Sequence, residues 1–391
     1  MSKRSIVTSA VGLALAGAGS LAWAHNHEGE AKAATPAQPA ATAPASAPAG
    51  GQPRAAWVPP GTSGSPIDGT VFHAQVLLDV AGFPSGVIDG KKGMVFEQAV
   101  RGFQQSRGLP ATGQLDPRTR AVLLEQNRPS TRVLQLTDTD VGGPFVYPFP
   151  KDAADQAKLD GLHYRNMLEK LAERFHTTPD TIVALNGPDK LIGAGKALRL
   201  PNVLPASRDY AGAVDDKQGR LLSLFNVDPS QPKGDFVVVD KSEGVMRVYQ
   251  GAVPEGQLST NSNPGPAPKL SDNPGKLVAQ FPVTMGSSQY PLPIGRWRAT
   301  TYAFEPPFKY QPRLLKGKDP NEPEQMLPPG PNGPVGVAWL DLTKEHYGIH
   351  GTDTPETIGR AESSGCIRLA NWDVVRLSRI MKPGFTAIFQ S

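Results

Sequence analysis

The chain has 391 residues, 39% of them hydrophobic and 19% charged, and its formal net charge of +4 falls to +2 without Lys3 and Arg4. No basic run with interleaved aromatics offers a nucleic-acid face, and beyond residue 30 no apolar stretch is long enough to span a bilayer. The length implies two or three domains, and a lone cysteine, Cys366, excludes an intramolecular disulfide framework.

Lys3 and Arg4 precede an apolar run from Ile6 to Leu21, and Ala22-Trp23-Ala24 places small residues where a signal peptidase reads. This predicts a signal peptide over residues 1–24, cleavage after Ala24, and a mature protein that is exported, periplasmic or associated with the cell wall. Residues 25–66 are rich in Ala, Pro, Gly and Ser with few large apolar side chains, which predicts a disordered tether. Exported proteins seldom keep an unpaired thiol, so a catalytic or intermolecular role for Cys366 competes with that of an inert core cysteine.

Residues 67–127 predict a small helical domain. Phe72, Val76 and Val80 mark a first helix, and Phe96, Ala99, Val100 and Phe103 recur at the spacing of a second. Asp116-Pro117 supplies a cap and a first-turn proline for a third through Leu123 and Leu124. The intervening GVIDG and GLPATGQLD are glycine turns that need positive φ. The stretches AQVLLDVAGFPSGVIDG and EQAVRGFQQSRGLPATGQLDPRTRAVL resemble the three-helix peptidoglycan-binding domain of bacterial wall enzymes. KKGMVFEQ, from Lys91 to Gln98, departs from that pattern before the second helix.

Beyond a linker, residues 143–203 predict a second small unit. LEKLAERFHTTPDTIVALN reads as two short helices, with Leu168, Leu171, Ala172 and Phe175 on one face and Pro179 opening the second. IGAGKALRLPNV reads as a turn and a closing strand. The unit resembles a LysM module, a βααβ glycan-binding fold, although HYRNM (His163 to Met167) stands where its first strand belongs. A structural spacer is the competing reading.

After a polar linker, residues 234–390 predict a mainly-β domain. DFVVVDKSEGVMRVYQ is a hairpin signal, and strand-like runs follow at Leu277–Met285, Arg296–Tyr302, Val335–Leu340, Tyr347–His350 and Thr386–Phe389. One helix is expected, capped by Asn371, with Val374, Leu377 and Met381 buried and Pro383-Gly384 ending it. Two insertions, Gly251–Gly275 and Glu305–Gly333, are too long for turns, and at least one is expected to wall a site.

A free cysteine titrates near pH 8.5, so only about 3% is thiolate at pH 7, and a nucleophilic thiol needs a base or a cation beside it. His350, in YGIHGTDTP, is the candidate base. The backbone of Ser-Gly-Cys can point the Gly365 and Cys366 amides at a developing oxyanion. Together, YGIHGT, SSGCIRLANWD, PLPIGRW and LPPGPNGPVG resemble the catalytic domain of the YkuD-type L,D-transpeptidases. The resemblance implies that Cys366 attacks a stem-peptide carbonyl of peptidoglycan and forms a thioester as D-alanine leaves. It implies further that His350 activates the thiol, the Gly351 carbonyl orients the imidazole, and the Gly365 and Cys366 amides form the oxyanion hole. Arg368 then acts electrostatically or structurally, and Ser363 as a turn hydrogen-bonder. Ser364 stands where many members have histidine. No cofactor is implied; carbapenem-type β-lactams are expected as covalent inhibitors.

Two rivals come from other classes. His346, His350 and Cys366 are three candidate zinc ligands, and two wall-binding units on a tether could serve without chemistry. Within the enzyme reading, a stem amine, water or a protein lysine as acyl acceptor gives cross-linking, carboxypeptidase activity or protein anchoring; cross-linking is the expected outcome.

Overall fold

The first helix begins where Asp68 accepts the amide protons of Thr70 and Val71, capping α1 (Gly69–Val80). The computed structural model describes residues 62–391 apart from positions 264, 272, 273, 289 and 316. The expected signal peptide, and the tether as far as residue 61, lie outside the described residues. Two further helices, α2 (Met94–Ser106) and α3 (Pro117–Leu124), complete the first unit; Asp116 caps α3 by accepting from Thr119 N at 2.7 Å. Gly90 shows why its turn needs glycine: φ is +73°, and a Cβ would meet Ile67 and the Asp68 backbone.

The second unit is built differently from the expectation. Its first strand is β1 (Thr131–Gln135), inside the segment read as a linker, and HYRNM is no strand. Residues 136–166 follow as a long insertion with two short helices, α4 (Asp138–Val141) and α5 (Ala153–Gln156). The helix pair α6 (Met167–Arg174) and α7 (Pro179–Asn186) and the strand β2 (Ala197–Pro201) close a β-α-α-β order, with β2 antiparallel to β1. The weak alternation of TRVLQ, only half-buried, explains why it was missed. The next linker also holds structure: α8 (Asp216–Leu224) buries Leu221 and Leu222 in the core of the third unit.

That unit comprises β3 (Phe236–Asp240), β4 (Val245–Gln250), β5 (Lys276–Pro282), β6 (Thr284–Met285), β7 (Gly295–Phe304), β8 (Phe308–Tyr310), β9 (Gln325–Leu327), β10 (Ala338–Leu342), β11 (Gly348–His350), β12 (Ile367–Arg368), α9 (Asn371–Ile380) and β13 (Thr386–Gln390). Among the described residues nine strands form one sheet in the order β5-β4-β3-β13-β7-β10-β11-β12-β6, while β8 and β9 form a separate hairpin. Strand β10 starts three residues later than the apolar run at Val335 suggested. Asn371 opens α9 but does not cap it: the cap position is Ala370, without a side-chain bond.

Both faces of the sheet are covered. Val237, Val239, Ala387 and Phe389 enter a core with α8 and α9, whereas Phe236, Val238 and Ile388 pack against Leu78, Phe83, Phe103 and other residues of the first helical unit. Strand periodicity of two thus sends alternate side chains to two cores. The described residues form a single compact unit rather than beads on linkers.

Candidate active site

Register assembles the site. Strand β11 runs parallel to β12 with His350 opposite Arg368 and Ile349 opposite Ile367; β10 lies antiparallel on the other side with Trp339 opposite His350. Ile349 and Ile367 point into the main core, so His350, Arg368 and Trp339 share the opposite face. Cys366 immediately precedes β12, and its Sγ accepts the Gly348 amide proton at 3.0 Å. Its S–H faces the His346 carbonyl at 3.9 Å. The thiol and the imidazole therefore come from neighbouring strands, two residues out of step.

The imidazole is tightly held. Its Nδ1 donates to the Gly351 carbonyl at 2.7 Å, and because a carbonyl can only accept, Nδ1 carries the proton and Nε2 keeps its lone pair. Nε2 is buried with no hydrogen-bond partner among the described residues. Trp339 stacks on the ring at 5.3 Å and 17°, and the indole N–H donates to Asp341 at 3.3 Å. Gly348 leaves room for that indole, since a Cβ there would strike its six-membered ring.

Electrostatics keep the resting pair neutral. Cys366 is 2% exposed and His350 fully buried. Burial, with the charge of Arg368 added, lowers His350 to about 3, and burial pushes the Cys366 thiol up to about 12 against the opposing pull of the Gly348 amide and Arg368. Arg368 itself is buried and interacts with both Asp353 and Cys366; burial raises Asp353, opposed first by Arg368 and then by Arg165.

The cysteine turn is closed by Ser363. Its hydroxyl donates to the Cys366 carbonyl at 2.7 Å and accepts from the Gly365 amide at 3.2 Å. The Gly365 N–H, expected to face an oxyanion, is thus engaged by its own turn. Gly365 has φ +113°, and a Cβ there would meet the Tyr347 ring. Ser364, in the place of the common histidine, has a buried hydroxyl without a hydrogen-bond partner among the described residues.

Leu162, Phe308, Tyr310, Leu315, Leu327 and Val335 pack over Cys366 and Trp339. The 305–333 insertion, through the β8–β9 hairpin, is therefore the wall of the site, and the 251–275 insertion takes no part in this cluster. Leu162 belongs to the second unit; its amide donates to Pro329 O at 2.9 Å, and Asn332 returns bonds to Leu162 O at 3.0 Å and His163 O at 2.9 Å. Sequence reasoning missed this contribution because residues 136–166 show no clear period.

The zinc alternative does not assemble. His346 lies outside β11 with φ +64°, its side chain 54% exposed beside Glu345. Among the described residues no three of His, Cys, Asp or Glu gather as a metal site.

A thiol and a neutral imidazole on adjacent sheet strands, with an arginine beside the thiol, are the parts of an acyl-transfer centre. Residues 270–389 match the YkuD family, described as "L,D-transpeptidase catalytic domain", so this part of the chain carries such a domain; residues 68–123 match the "Putative peptidoglycan binding domain". The chain is 56% identical over 54 residues to "Putative L,D-transpeptidase YkuD" of Bacillus subtilis (strain 168), covering 14% of this chain and 33% of that protein. To the protein of the same name from Bacillus licheniformis it is 55% identical over 56 residues, 14% and 34% of the two chains. "Putative L,D-transpeptidase YqjB" of B. subtilis is 29% identical over 114 residues, 28% of this chain and 57% of the other. The chain thus spans about a third of the length of the two YkuD relatives. Among solved structures, L,D-transpeptidase 3 from Mycobacterium tuberculosis in complex with a faropenem-derived adduct matches at 17% identity over 40% of this chain and 60% of that one, with a TM-score of 0.27. That likeness is too slight to carry an argument.

Proposed function

We propose that the protein is a peptidoglycan L,D-transpeptidase with Cys366 as nucleophile and His350 as base. The observation that carries this reading is the Nδ1–H bond from His350 to Gly351 O, which leaves Nε2 unprotonated in the strand next to the thiol. In the first half-reaction Nε2 takes the thiol proton while sulfur attacks the carbonyl of the third stem residue. The C–N bond to D-alanine breaks, the imidazolium returns the proton to the departing amine, and a thioester remains. An acceptor amine then attacks the thioester, gives its proton to Nε2, and releases the thiol as the new amide forms. Arg368 steadies the thiolate as it develops, since it is the cation beside Sγ. The Cys366 amide serves as oxyanion donor, and the Gly365 amide joins it once released from Ser363.

The matched peptidoglycan-binding segment supports a wall polymer as the partner, and a cross-link between stems as the main product. Water or a protein lysine in place of the stem amine gives trimming or anchoring from the same thioester. The β-α-α-β order of β1, α6, α7 and β2 supports a LysM-like role in glycan binding for the second unit. Carbapenem-type β-lactams, being strained acyl donors, should acylate the same thiol. Export to the periplasm or cell wall accords with that substrate.

The test is intact mass spectrometry after incubation with a disaccharide-tetrapeptide. Wild type should gain a thioester adduct and release D-alanine, and Cys366→Ala and His350→Ala should do neither. Dimeric muropeptides establish cross-linking, whereas shortened monomers alone remove it. No adduct and no release from wild type would discard the enzyme reading for a wall-binding protein.

A further inference from the structure

The base of the site is held from outside the matched catalytic segment. Asn371, at the start of α9, is fully buried and works with both ends of its amide. Its Oδ1 accepts from Val337 N at 3.2 Å and lies so close to Gly336 and Gly351 that neither position has room for a Cβ. Its Nδ2 donates to both carboxyl oxygens of Glu173, at 3.0 and 3.1 Å, and approaches Pro331 O at 3.3 Å. Glu173 sits on α6 of the second unit and also accepts from the Tyr164 hydroxyl at 2.9 Å. Gly351, against which the Asn371 oxygen rests, supplies the carbonyl that fixes the imidazole of His350.

We infer that Glu173 is a positioning residue for the catalytic base, acting through Asn371 on the Gly351 carbonyl that sets the tautomer and orientation of His350. This rests on the acyl-transfer reading of the site. An amide has two faces that look alike in shape but differ in hydrogen bonding, and only one orientation puts oxygen toward Val337 N. The Val337 N–H can only donate and so calls for oxygen on its side, while Glu173 holds the other end of the amide by receiving Nδ2 at 3.0 and 3.1 Å. Without Glu173, Nδ2 keeps only the longer contact to Pro331 O, and a buried donor short of an acceptor drives the side chain to turn. The Gly336 and Gly351 turns, built around that oxygen, then lose their peg. A second-unit helix thereby helps position the base, where the sequence suggested a glycan-binding module or a structural spacer.

Burial raises Glu173 to about 8, opposed by its bonds from Asn371 and Tyr164 and reinforced by Glu169 on its own helix and Asp353 from the catalytic loop. Near neutral pH a large share of the group is thus a carboxylic acid, which keeps a carbonyl oxygen as acceptor for Nδ2, and glutamine, with one such oxygen, is a close replacement.

The experiment compares wild type, Glu173→Ala and Glu173→Gln as full chains, with thermal unfolding to establish the folded fraction. Acylation is followed by release of D-alanine from the disaccharide-tetrapeptide, and the His350 tautomer by ¹⁵N shifts of its ring. Glu173→Ala should lower the saturated acylation rate about tenfold or more with little change in donor KM, as expected for a misplaced base. Its His350 should also lose the pure Nδ1–H tautomer, and Glu173→Gln should restore both. A folded Glu173→Ala with unchanged tautomer and rate overturns the inference, as does a rate that falls only with the folded fraction. If alanine at 173 prevents folding, the glutamine variant decides: a lost tautomer despite its retained acceptor oxygen refutes the relay, and a retained one supports it. Should wild type form no acyl-enzyme at all, the functional reading fails, and the tautomer of the Glu173 variants still judges the relay.

Discussion

Cys366 and His350, from neighbouring strands, are both neutral at rest, and burial is the cause on both sides. A thiol pushed up to about 12 leaves a thiolate fraction near 10⁻⁵ at pH 7, about what the acid dissociation alone allows. An imidazole lowered to about 3 is a free base across the physiological range but a weak one. The resting state is thus not an ion pair. Alkylation of Cys366 by iodoacetamide, followed by intact mass, should therefore rise about tenfold per pH unit from 6 to beyond 9. A plateau reached near pH 6 to 7 would reveal a standing thiolate-imidazolium pair and refute this. The same shift has a stability side. Because the folded thiol titrates above its unfolded value of 9.0, the stability it contributes is complete below pH 9 and is lost as pH rises toward 12.

The hairpin of β8 and β9 decides whether that thiol meets solvent. Leu327 and Phe308 lie buried in the small cluster that contains Cys366, apart from the main sheet core. Replacing Leu327 by alanine removes a buried side chain worth about 2–5 kcal/mol, mostly from local packing of the wall. Each 1.4 kcal/mol lost from the closed form multiplies the open population tenfold. Leu327→Ala should then speed Cys366 alkylation about tenfold or more at fixed pH while the slope against pH is kept; an unchanged rate would mean that another element controls access. At this scale the sequence was informative where period was strong. Helices α2, α3, α6 and α7 and the strands flanking Cys366 follow from apolar spacing, glycine turns and Asp-Pro or Thr-Pro starts. Strand β1 was lost because only Val133, Leu134 and a half-buried pattern mark it, and α8 because three apolar residues among polar ones look like a linker. Its residue type makes Asn371 a cap candidate, but its amide is spent across three chain segments that no local pattern connects. The thiol and base were legible because their neighbours are glycines and small residues in fixed order; Glu173, almost two hundred positions before Asn371, was not.

The three units meet at a buried charge cluster that makes them one cooperative body. Asp79 of α1 takes two bonds from the Arg376 guanidinium of α9, at 2.9 and 3.2 Å, and faces His176 Nδ1 at 3.0 Å just beyond α6. His176 stacks on Trp372 at 5.1 Å, and its Nε2 meets Phe225 O at 2.7 Å. One carboxylate thus joins α1 of the first helical unit, the second unit and the helix that carries Asn371. Burial acts to raise Asp79, but Arg376 and then His176 outweigh it and hold the carboxyl well below its usual 3.8. The sign follows: stability from Asp79 is complete above pH 4 and is lost as pH falls below that value. Asp373, the other carboxyl near Arg376 at 3.6 Å, is raised by burial to about 8 and is a poor substitute while Asp79 is charged. Asp79→Asn keeps the shape and removes the charge, leaving a buried guanidinium short of its partner at a cost of about 3 kcal/mol. In a chain this size that predicts a melting temperature about 4 °C lower and a flatter loss of stability between pH 4 and 2. Calorimetry should show one transition for wild type at neutral pH, because unfolding any unit strands a charge of the others. Two separated transitions in wild type, or an Asp79→Asn variant that melts where wild type does, would show that the first helical unit and the nine-stranded sheet are joined by surface contact alone.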